Sequence, residues 1–301
     1  RYSTCSVVQF VFISICDYTE IETFLHKIRK NLTFFSNNVG LGMFKTQSLL
    51  QNDFYKQLHY RMLPDGLTKL YSNLTPRKSR INGVNKVVVF GLQYFIKEYL
   101  VKQWDENFFK RPWLDVEKRY LRFVDATLGK GMVDTAHIKK LHELQYLPLS
   151  IKSLPEGSLC PVKVPCFTIT NTVDHAAWLV NFLETILSCT TWQPITSATI
   201  ALEYKKIFNE FAKETCDDLS FVQWQGHDFS LRGLSSLESG ALSGAGHLTS
   251  FTGSDSIVAG EFLEEYYNAD VEKELVLASV PASEHSIHCL GGEENEEATY
   301  E

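Results

Sequence analysis

Apolar residues along the chain form short continuous or alternating stretches, as in strands, or recur at the spacing of one helix face. The predicted strands cover residues 86–90, 161–170, 220–224 and 274–280. The predicted helix faces fall within residues 92–100, 178–187 (after a cap-like Asp174), 196–211, 236–248 and 257–267. Alternating strands and helices predict an α/β fold with a parallel sheet, in which functional groups gather at the C-terminal ends of the strands.

Composition fits a globular protein with a sizeable core. The 301 residues are 44% hydrophobic and 13% aromatic, and this length favours about two domains. The formal net charge of −7 excludes the broad basic face that nucleic acid or an anionic membrane requires. An anionic substrate would therefore have to be bound by local arginines.

Cysteine usage and hydropathy indicate the compartment. The seven cysteines include no C-x-x-C pair, which is typical of reduced thiols and not of a disulfide framework or a zinc site. No apolar run reaches the ~20 residues of a membrane span. We therefore expect a soluble, cytoplasmic protein.

Both ends of the chain are unusual. It begins with Arg1 and has no methionine before Met43, so residues 1–42 are interpreted as translated upstream sequence, with a genuine extension as the alternative. At the other end an acidic run, residues 293–297, follows the last predicted strand with no closing element. We therefore expect a truncated fold.

Three motifs follow predicted strands or turns. His227-Asp228-Phe229 and Arg232 offer a flat ring, a carboxylate and a guanidinium, suited to an aromatic ligand carrying phosphate, although a buried Phe and a surface Arg would give the same pattern. Asp255, in Gly-Ser-Asp-Ser, is a candidate ligand group or simply a helix cap. His285 beside Glu284 could act as a nucleophile or acid/base, or could be structural.

Two further stretches are ambiguous from their residues alone. Residues 52–60 together with Arg77 form a charged amphipathic pattern compatible with a solvated face. Gly240, Gly244 and Gly246 depart from both the dinucleotide and the P-loop patterns, so we interpret them as a small-residue face for close helix packing.

Seven collinear blocks together resemble the nicotinamide phosphoribosyltransferase family. The blocks are D-F-Y-K-x-x-H-Y (53–60), V-V-F-G-L-Q-Y (88–94), V-P-x-F-T-I-T-N-T (164–172), L-E-T-I-L (183–187), W-x-P-I-T-x-A-T (192–199), H-D-F-x-x-R-G (227–233) and V-P-A-S-E-H-S (280–286). The resemblance runs from Met43 to Glu301. It implies a smaller α+β domain over residues 43–174 and the first part of an irregular α/β barrel over residues 175–301, in a homodimer with active sites at the subunit interface.

The resemblance also implies roles for single residues. Phe229 would stack on one face of the pyridine ring, and Tyr55 of the partner subunit would cover the other. Arg232, and Arg77 from the partner, would contact phosphate groups. The other residues placed at the substrate by the resemblance are Asp53, Ser279, Val280 and Ala282.

Asp255 and His285 would carry specificity and energy coupling. The Asp255 carboxylate would accept from the nicotinamide amide and repel the carboxylate of nicotinate. His285 would be phosphorylated from ATP, with Glu284 orienting its ring. No residue set is predicted to form a metal site, and Mg²⁺ would neutralise the departing pyrophosphate.

The implied reaction joins nicotinamide to phosphoribosyl pyrophosphate in NAD salvage. A nicotinate phosphoribosyltransferase, which shares the architecture, is the alternative enzyme, and Asp255 argues against it. A non-catalytic binding protein on the same scaffold is the alternative from another class, because the further ribose- and phosphate-binding residues of the family find no counterpart in this chain.

Overall fold

The computed structural model describes residues 46–292, 295 and 297–299, and the segment 1–42 predicted as upstream sequence lies outside them. Within these described residues, seven short strands are interspersed with helices. The strands are β1 (Tyr71–Leu74), β2 (Lys86–Val88), β3 (Leu149–Ser153), β4 (Leu159–Pro161), β5 (Phe167–Asn171), β6 (His227–Asp228) and β7 (Gly253–Ser254). The helices are α1 (92–109, largely π-helical), α2 (Trp113–Leu128), α3 (Ala136–Leu144), α4 (Ala177–Phe182), α5 (Glu184–Thr215), α6 (Val222–Gln225), α7 (Leu237–Leu248), α8 (Val258–Tyr267) and α9 (His285–His288).

Antiparallel pairing dominates before residue 174. The order β1-β5-β3 forms one sheet, in which Tyr71 pairs with Thr170 and Leu149 with Asn171, and β2 pairs with β4 in a second. After residue 174 the described pairing is parallel, between β6 and β7 and at a bridge from Gly253 to Ala278. Together with the helices, these strands form an α/β arrangement. The strands that the structure describes do not close a barrel.

The core is built largely from aromatic side chains of α1 and its neighbours. Phe95, Trp104 and Phe108 on α1 are almost completely buried, together with Tyr120 of α2 and Phe167 of β5. Burying a large apolar side chain contributes roughly 1.5–3 kcal/mol relative to leaving it exposed. Helix α1 therefore supplies much of the aromatic core, and Phe95 contacts Phe167 of β5 edge-to-face.

The small-residue face predicted on α7 is confirmed. A Cβ atom on Gly246 would lie 2.8 Å from the Pro194 carbonyl oxygen of α5, and one on Gly244 would lie 2.8 Å from the Ala259 Cβ of α8. Because the first clash is with backbone, it could not be relieved by a side-chain movement. The glycines thus let α7 pack closely between α5 and α8.

Several predicted elements are confirmed and others are wrong. The helices over 236–248 and 257–267 agree within one residue, and the strand at 86–90 followed by a helix is present as β2 and α1. The helix predicted from Thr196 starts at Glu184 and continues through Pro194. The predicted strand 161–170 is divided into β4 and β5 by a turn.

Two predicted strands after residue 215 are wrong. Residues 220–224 contribute instead to a turn and to helix α6, and within 274–280 only Ala278 makes a strand-like bridge. The parallel strand before the H-D-F motif is therefore the motif's own His227 and Asp228. The motif lies on the strand and not after it.

No helix among the described residues is long and apolar enough to cross a lipid bilayer.

Candidate functional site

Parallel pairing brings three distant segments to one place. In the β6–β7 register His227 pairs with Gly253 and Asp228 with Ser254. The Ser254 N–H then donates to the Ala278 carbonyl at 3.0 Å, which brings Ser279 alongside. The side chains that follow β6, β7 and this bridge therefore meet at the C-terminal ends of neighbouring strands, where α/β folds place their ligands.

Asp255 lies at the centre of a hydrogen-bonded cluster. Its Oδ1 is 2.8 Å from His227 Nε2 and also accepts from the Ser279 hydroxyl. The hydrogen bond from Ser279 and then that from His227 hold the pKa of Asp255 below its usual range, with a smaller contribution from the charge of Arg232. Asp255 is therefore ionised at neutral pH, and its Oδ2 makes no hydrogen bond within the part of the chain that the structure describes.

The capping interpretation of Asp255 is wrong. Helix α8 begins at Val258 and has no side-chain cap hydrogen bond. The Asp255 carboxylate points instead to His227 and Ser279. This arrangement fits a ligand-binding group and not a helix cap.

Phe229 provides a flat apolar surface beside this carboxylate. Its side chain is 66% exposed, so the alternative of a buried core Phe is wrong. The ring stacks on the His227 imidazole with centroids 4.4 Å apart and an interplanar angle of 29°. The face of Phe229 that does not contact His227 is available to a planar ligand.

The turn after Phe229 is fixed by contacts with buried groups. The Ser230 N–H donates to Asp228 Oδ1 at 3.0 Å, and Asp228 is buried. Leu231 lies over Gly240, where an added Cβ would be 2.3 Å from the leucine Cδ1. Arg232, in the same turn, is exposed. An aromatic platform, a carboxylate and an exposed cation therefore share one rim.

A cavity of about 340 Å³ adjoins this rim. Its walls come from β6 and the following turn, from the C-terminal half of α5 and from the end of α7, with aromatic side chains on two sides. The residues that carry this lining are His227, Asp228, Ser230, Tyr204, Phe208 and Phe251. The volume lies in the range of small-molecule sites.

The predicted residues near the start of the described chain form a separate group. Asp53 Oδ2 accepts from the Thr185 hydroxyl at 2.6 Å, and Tyr55 is 58% exposed with its ring edge-to-face on His59. Arg77 is exposed in the loop after β1. Among the described residues no hydrogen bond, ion pair or ring contact joins this group to the Phe229–Asp255 rim.

The remaining predicted residues follow Ser279. Val280, Ala282, Glu284 and His285 are all exposed. Glu284 accepts from the Ser286 hydroxyl, so its described hydrogen bond is not to His285. His285 Nε2 lies 3.3 Å from the Sγ of Cys289, the first residue after α9.

His227 lies in the middle of the cluster around Asp255, although its residue type and position in the sequence do not predict that place. His227 is the first residue of the H-D-F-x-x-R-G motif, and the residue that it contacts, Asp255, lies 28 positions later in the sequence. Two-residue strands carry too little hydrophobic pattern to reveal the pairing that brings the two residues together.

The residues present do not form a protein-built cage for the Mg²⁺ that the resemblance implies. Within the described part of the chain no group of three or more His, Cys, Asp or Glu side chains could hold a metal ion. Mg²⁺ commonly keeps several waters and binds through substrate phosphates.

Comparison with known proteins identifies the family. The family model "Nicotinamide phosphoribosyltransferase, N-terminal domain" matches residues 47–107, and that of the "Nicotinate phosphoribosyltransferase (NAPRTase) family" matches residues 224–300. Nicotinamide phosphoribosyltransferase of Acinetobacter baylyi is 45% identical over 262 residues, which cover 85% of this chain and 51% of that protein. The chain belongs to the nicotinamide phosphoribosyltransferase family.

Other members of the nicotinamide phosphoribosyltransferase family agree with this identification. The enzyme of that name from Mycoplasma genitalium is 33% identical over 276 residues, covering 86% of this chain and 57% of that protein. The chain thus spans about half the length of the curated relatives it matches.

Two solved structures support the fold. Human nicotinic acid phosphoribosyltransferase matches with a TM-score of 0.50 at 20% identity, covering 79% of this chain and 40% of that one. Nicotinate-nucleotide pyrophosphorylase from Pyrococcus furiosus matches with a TM-score of 0.51 at 13% identity, covering 85% and 47%. At these identities the likeness supports the α/β phosphoribosyltransferase fold and not a choice of substrate.

Proposed function

We propose that this chain supplies the pyridine-binding side of an enzyme that transfers phosphoribosyl from phosphoribosyl pyrophosphate to nicotinamide. The products are nicotinamide mononucleotide and pyrophosphate. The observation that carries the proposal is the exposed Phe229 ring beside the ionised Asp255 carboxylate. A flat amide-bearing heterocycle could stack on the ring and donate its amide N–H to the free Oδ2.

The reaction requires positioning more than protein acid–base chemistry. Pyrophosphate leaves the ribose C1, positive charge develops on the sugar, and the pyridine nitrogen attacks that carbon. Stacking on Phe229 would hold the ring so that its nitrogen faces C1, which lowers the barrier by orientation. Arg232 on the same rim would supply local positive charge for phosphate, in a chain whose formal net charge is −7.

Further parts of the proposal rest on the family resemblance. By this resemblance, Tyr55 and Arg77 would come from the partner subunit of a homodimer. The residues lining the substrate site would be Asp53, Ser279, Val280 and Ala282. His285 accepts a phosphoryl group from ATP, with Glu284 beside it. The irregular barrel, the domain boundary near residue 174 and a cytoplasmic location belong to the same proposal, and Mg²⁺ would be bound by the substrate's pyrophosphate.

The test of this function is formation of nicotinamide mononucleotide by the complete gene product. Nicotinamide, phosphoribosyl pyrophosphate, ATP and Mg²⁺ are incubated with it, and the product is quantified by chromatography. A parallel reaction contains nicotinate in place of nicotinamide. Turnover with nicotinamide and little with nicotinate is expected, whereas preferential turnover of nicotinate, or binding without turnover, would select one of the two alternatives.

Asp255→Asn is expected to relax the choice between the two substrates. The amide cannot repel the nicotinate carboxylate and offers a weaker acceptor to nicotinamide, so the affinity ratio should fall by about tenfold to a hundredfold. The ratio is measured by titrating the protein with nicotinamide and with nicotinate in saturation-transfer NMR. The same ratio in wild type and variant would remove Asp255 from the specificity site.

Phe229→Ala is expected to weaken nicotinamide binding by about 1–3 kcal/mol, the magnitude of a lost base-stacking platform. The measurement is the dissociation constant of nicotinamide. Phe211→Ala is the matched control, because Phe211 on α5 is similarly exposed, at 60%, and lies outside the site. Equal losses in the two variants would indicate a general effect on the fold and contradict a stacking role.

A further inference from the structure

One side chain, His227, contacts both groups that the proposed function assigns to the pyridine ligand. Its imidazole stacks on Phe229 at 4.4 Å, and its Nε2 lies 2.8 Å from Asp255 Oδ1. The His227 side chain itself is mostly buried, with 21% of its surface exposed. The His227 ring is therefore held in place between two exposed side chains, those of Phe229 and Asp255.

The strand pairing explains why this ring is held in place. His227 faces Gly253 across the β6–β7 register, and a Cβ on Gly253 would lie 2.8 Å from His227 Nδ1. Any larger residue at position 253 would push the imidazole out of its place. Glycine there lets the ring lie directly against the neighbouring strand, with Nε2 turned towards Asp255.

The hydrogen bonds determine which Asp255 oxygen a ligand can use. An ionised carboxylate only accepts, so His227 Nε2 must carry the hydrogen that it shares with Oδ1. The Ser279 hydroxyl donates to the same oxygen. With two donors on Oδ1, the carboxylate cannot rotate freely, and Oδ2 is the oxygen left for an incoming N–H.

We propose that His227 is a positioning residue that aligns the Phe229 ring with the Asp255 carboxylate and so sets the preference for a pyridine carboxamide over a pyridine carboxylate. This inference rests on the proposed function of the same site. His227 acts through its two neighbours and does not itself contact the reacting atoms.

Two substitutions separate the two contacts of His227. His227→Phe keeps an aromatic ring for Phe229 but loses the N–H, so the carboxylate is less well oriented. We expect the nicotinamide-to-nicotinate affinity ratio to fall by about threefold to tenfold, the worth of one hydrogen bond. His227→Gln keeps a donor but loses the ring, so affinity for both ligands should fall with the ratio largely retained.

Ser279 supplies a second, independent probe. Ser279→Ala removes the other donor to Asp255 Oδ1. The nicotinamide-to-nicotinate affinity ratio of this variant should fall, as it does in His227→Phe. Ser220→Ala is the matched control, because the Ser220 hydroxyl also donates to an exposed aspartate, Asp218, but lies outside the site. The control should leave both affinities unchanged.

A ligand-free measurement tests the geometry separately. Imidazole nitrogen NMR should show His227 with hydrogen on Nε2 at neutral pH, and Asp255→Asn should shift that resonance. The His227 signal is assigned by its loss in His227→Phe. A hydrogen on Nδ1 alone, or a resonance indifferent to Asp255→Asn, would overturn the proposed alignment.

The outcomes distinguish this inference from the function on which it rests. A wild-type protein that binds nicotinamide no better than nicotinate would contradict the proposed function. A wild-type protein that discriminates, together with a His227→Phe variant that discriminates equally well, would overturn the positioning role alone. If neither ligand binds, the proposed function fails, and the nitrogen NMR still decides whether His227 and Asp255 are aligned.

Discussion

Glu238→Ala is expected to lower the free energy of unfolding by roughly 2–5 kcal/mol. Glu238 Oε1 accepts from the hydroxyls of Tyr94, at 2.8 Å, and Tyr99, at 2.7 Å, which lie on α1 some 140 positions earlier. Both tyrosines are buried, with 2% and 9% exposure. Removing the acceptor leaves two buried hydroxyls unpaired, and each such group costs about 1–3 kcal/mol.

The two tyrosines should be less sensitive than the glutamate. Burial, reinforced by the Glu238 carboxylate, raises the pKa of Tyr94 and of Tyr99, so both remain neutral donors. Tyr99→Phe removes one hydrogen bond but leaves a half-buried carboxylate that keeps its bond from Tyr94. A smaller loss, about 1 kcal/mol, is expected.

Urea unfolding followed by circular dichroism measures these differences. Glu261→Ala is the control, because Glu261 also lies in the first turn of its helix, α8, but is exposed. It should stay within about 0.5 kcal/mol of wild type. If Glu238→Ala were no more destabilising than this control, the shared carboxylate would not be what fixes the start of α7 against α1.

This network also bears on the site, because α7 follows the turn that carries Phe229. The helix begins after Ser236, whose hydroxyl accepts from the Ser239 N–H at 3.1 Å. Glu238 anchors the same first turn to α1, and Leu231 rests on Gly240 two residues further along. Contacts with α1 thereby support the turn that carries Phe229.

Long amphipathic segments were predictable from the sequence. The helices at 236–248 and 257–267 each carry a repeated apolar or small-residue face, and Ser236 is a recognisable N-cap. Strand β2 (Lys86–Val88) lies in the β-branched run at 86–90, and Gly91, with a positive φ of 93°, precedes the first residue of α1. In these elements local propensity and tertiary packing agree.

Competing local hydrogen bonds explain the errors. Asp218 accepts from the Ser220 N–H at 2.9 Å, which starts a turn and then helix α6 where alternation predicted a strand. Thr196, predicted to open a helix, instead donates its hydroxyl to the Trp192 carbonyl at 2.7 Å inside α5. Such a bond lets Thr196 lie within the helix, which also continues through Pro194.

The chemistry of the site was predictable, but its geometry was not. Phe229, Arg232 and Asp255 stood out by residue type and by resemblance to the family. The hydrogen bonds from His227 and Ser279 to Asp255 depend on pairing between strands of two residues and on a single bridge. No local pattern encodes contacts between segments so short and so distant in sequence.

Acidification from pH 6.5 to pH 4 is expected to destabilise the fold by roughly 3 kcal/mol through His137 alone. This residue of α3 is 6% exposed and lies between Tyr60, stacked at 3.8 Å, and Trp178, edge-on at 4.8 Å. Burial lowers its pKa from 6.5 to about 4, against a smaller opposing effect of Asp134.

The sign of the effect follows from proton uptake. Below pH 6.5 the unfolded chain protonates this histidine, whereas the folded chain keeps it neutral until about pH 4. The unfolded state therefore binds more protons in this window, and stability falls as the pH falls. The contribution of His137 to the free energy of unfolding is fully present above pH 6.5, and it stops changing below pH 4. Groups with lowered carboxyl pKa values, such as Asp255 and Glu98, act only towards the acidic end of the window or below it.

Urea midpoints between pH 7 and pH 4 test this for wild type and for His137→Phe, which keeps a ring between Tyr60 and Trp178 but cannot titrate. The variant should lose the roughly 3 kcal/mol that His137 contributes but keep the dependence from His247, whose pKa burial also lowers. His175→Gln, at an exposed histidine, should retain the wild-type dependence. Should His137→Phe fold poorly, the histidine ring protons of the native wild type still report the pKa by NMR. A native His137 that titrates near pH 6.5, or a variant as acid-sensitive as wild type, would show that burial of this ring does not set the acid limit of the fold.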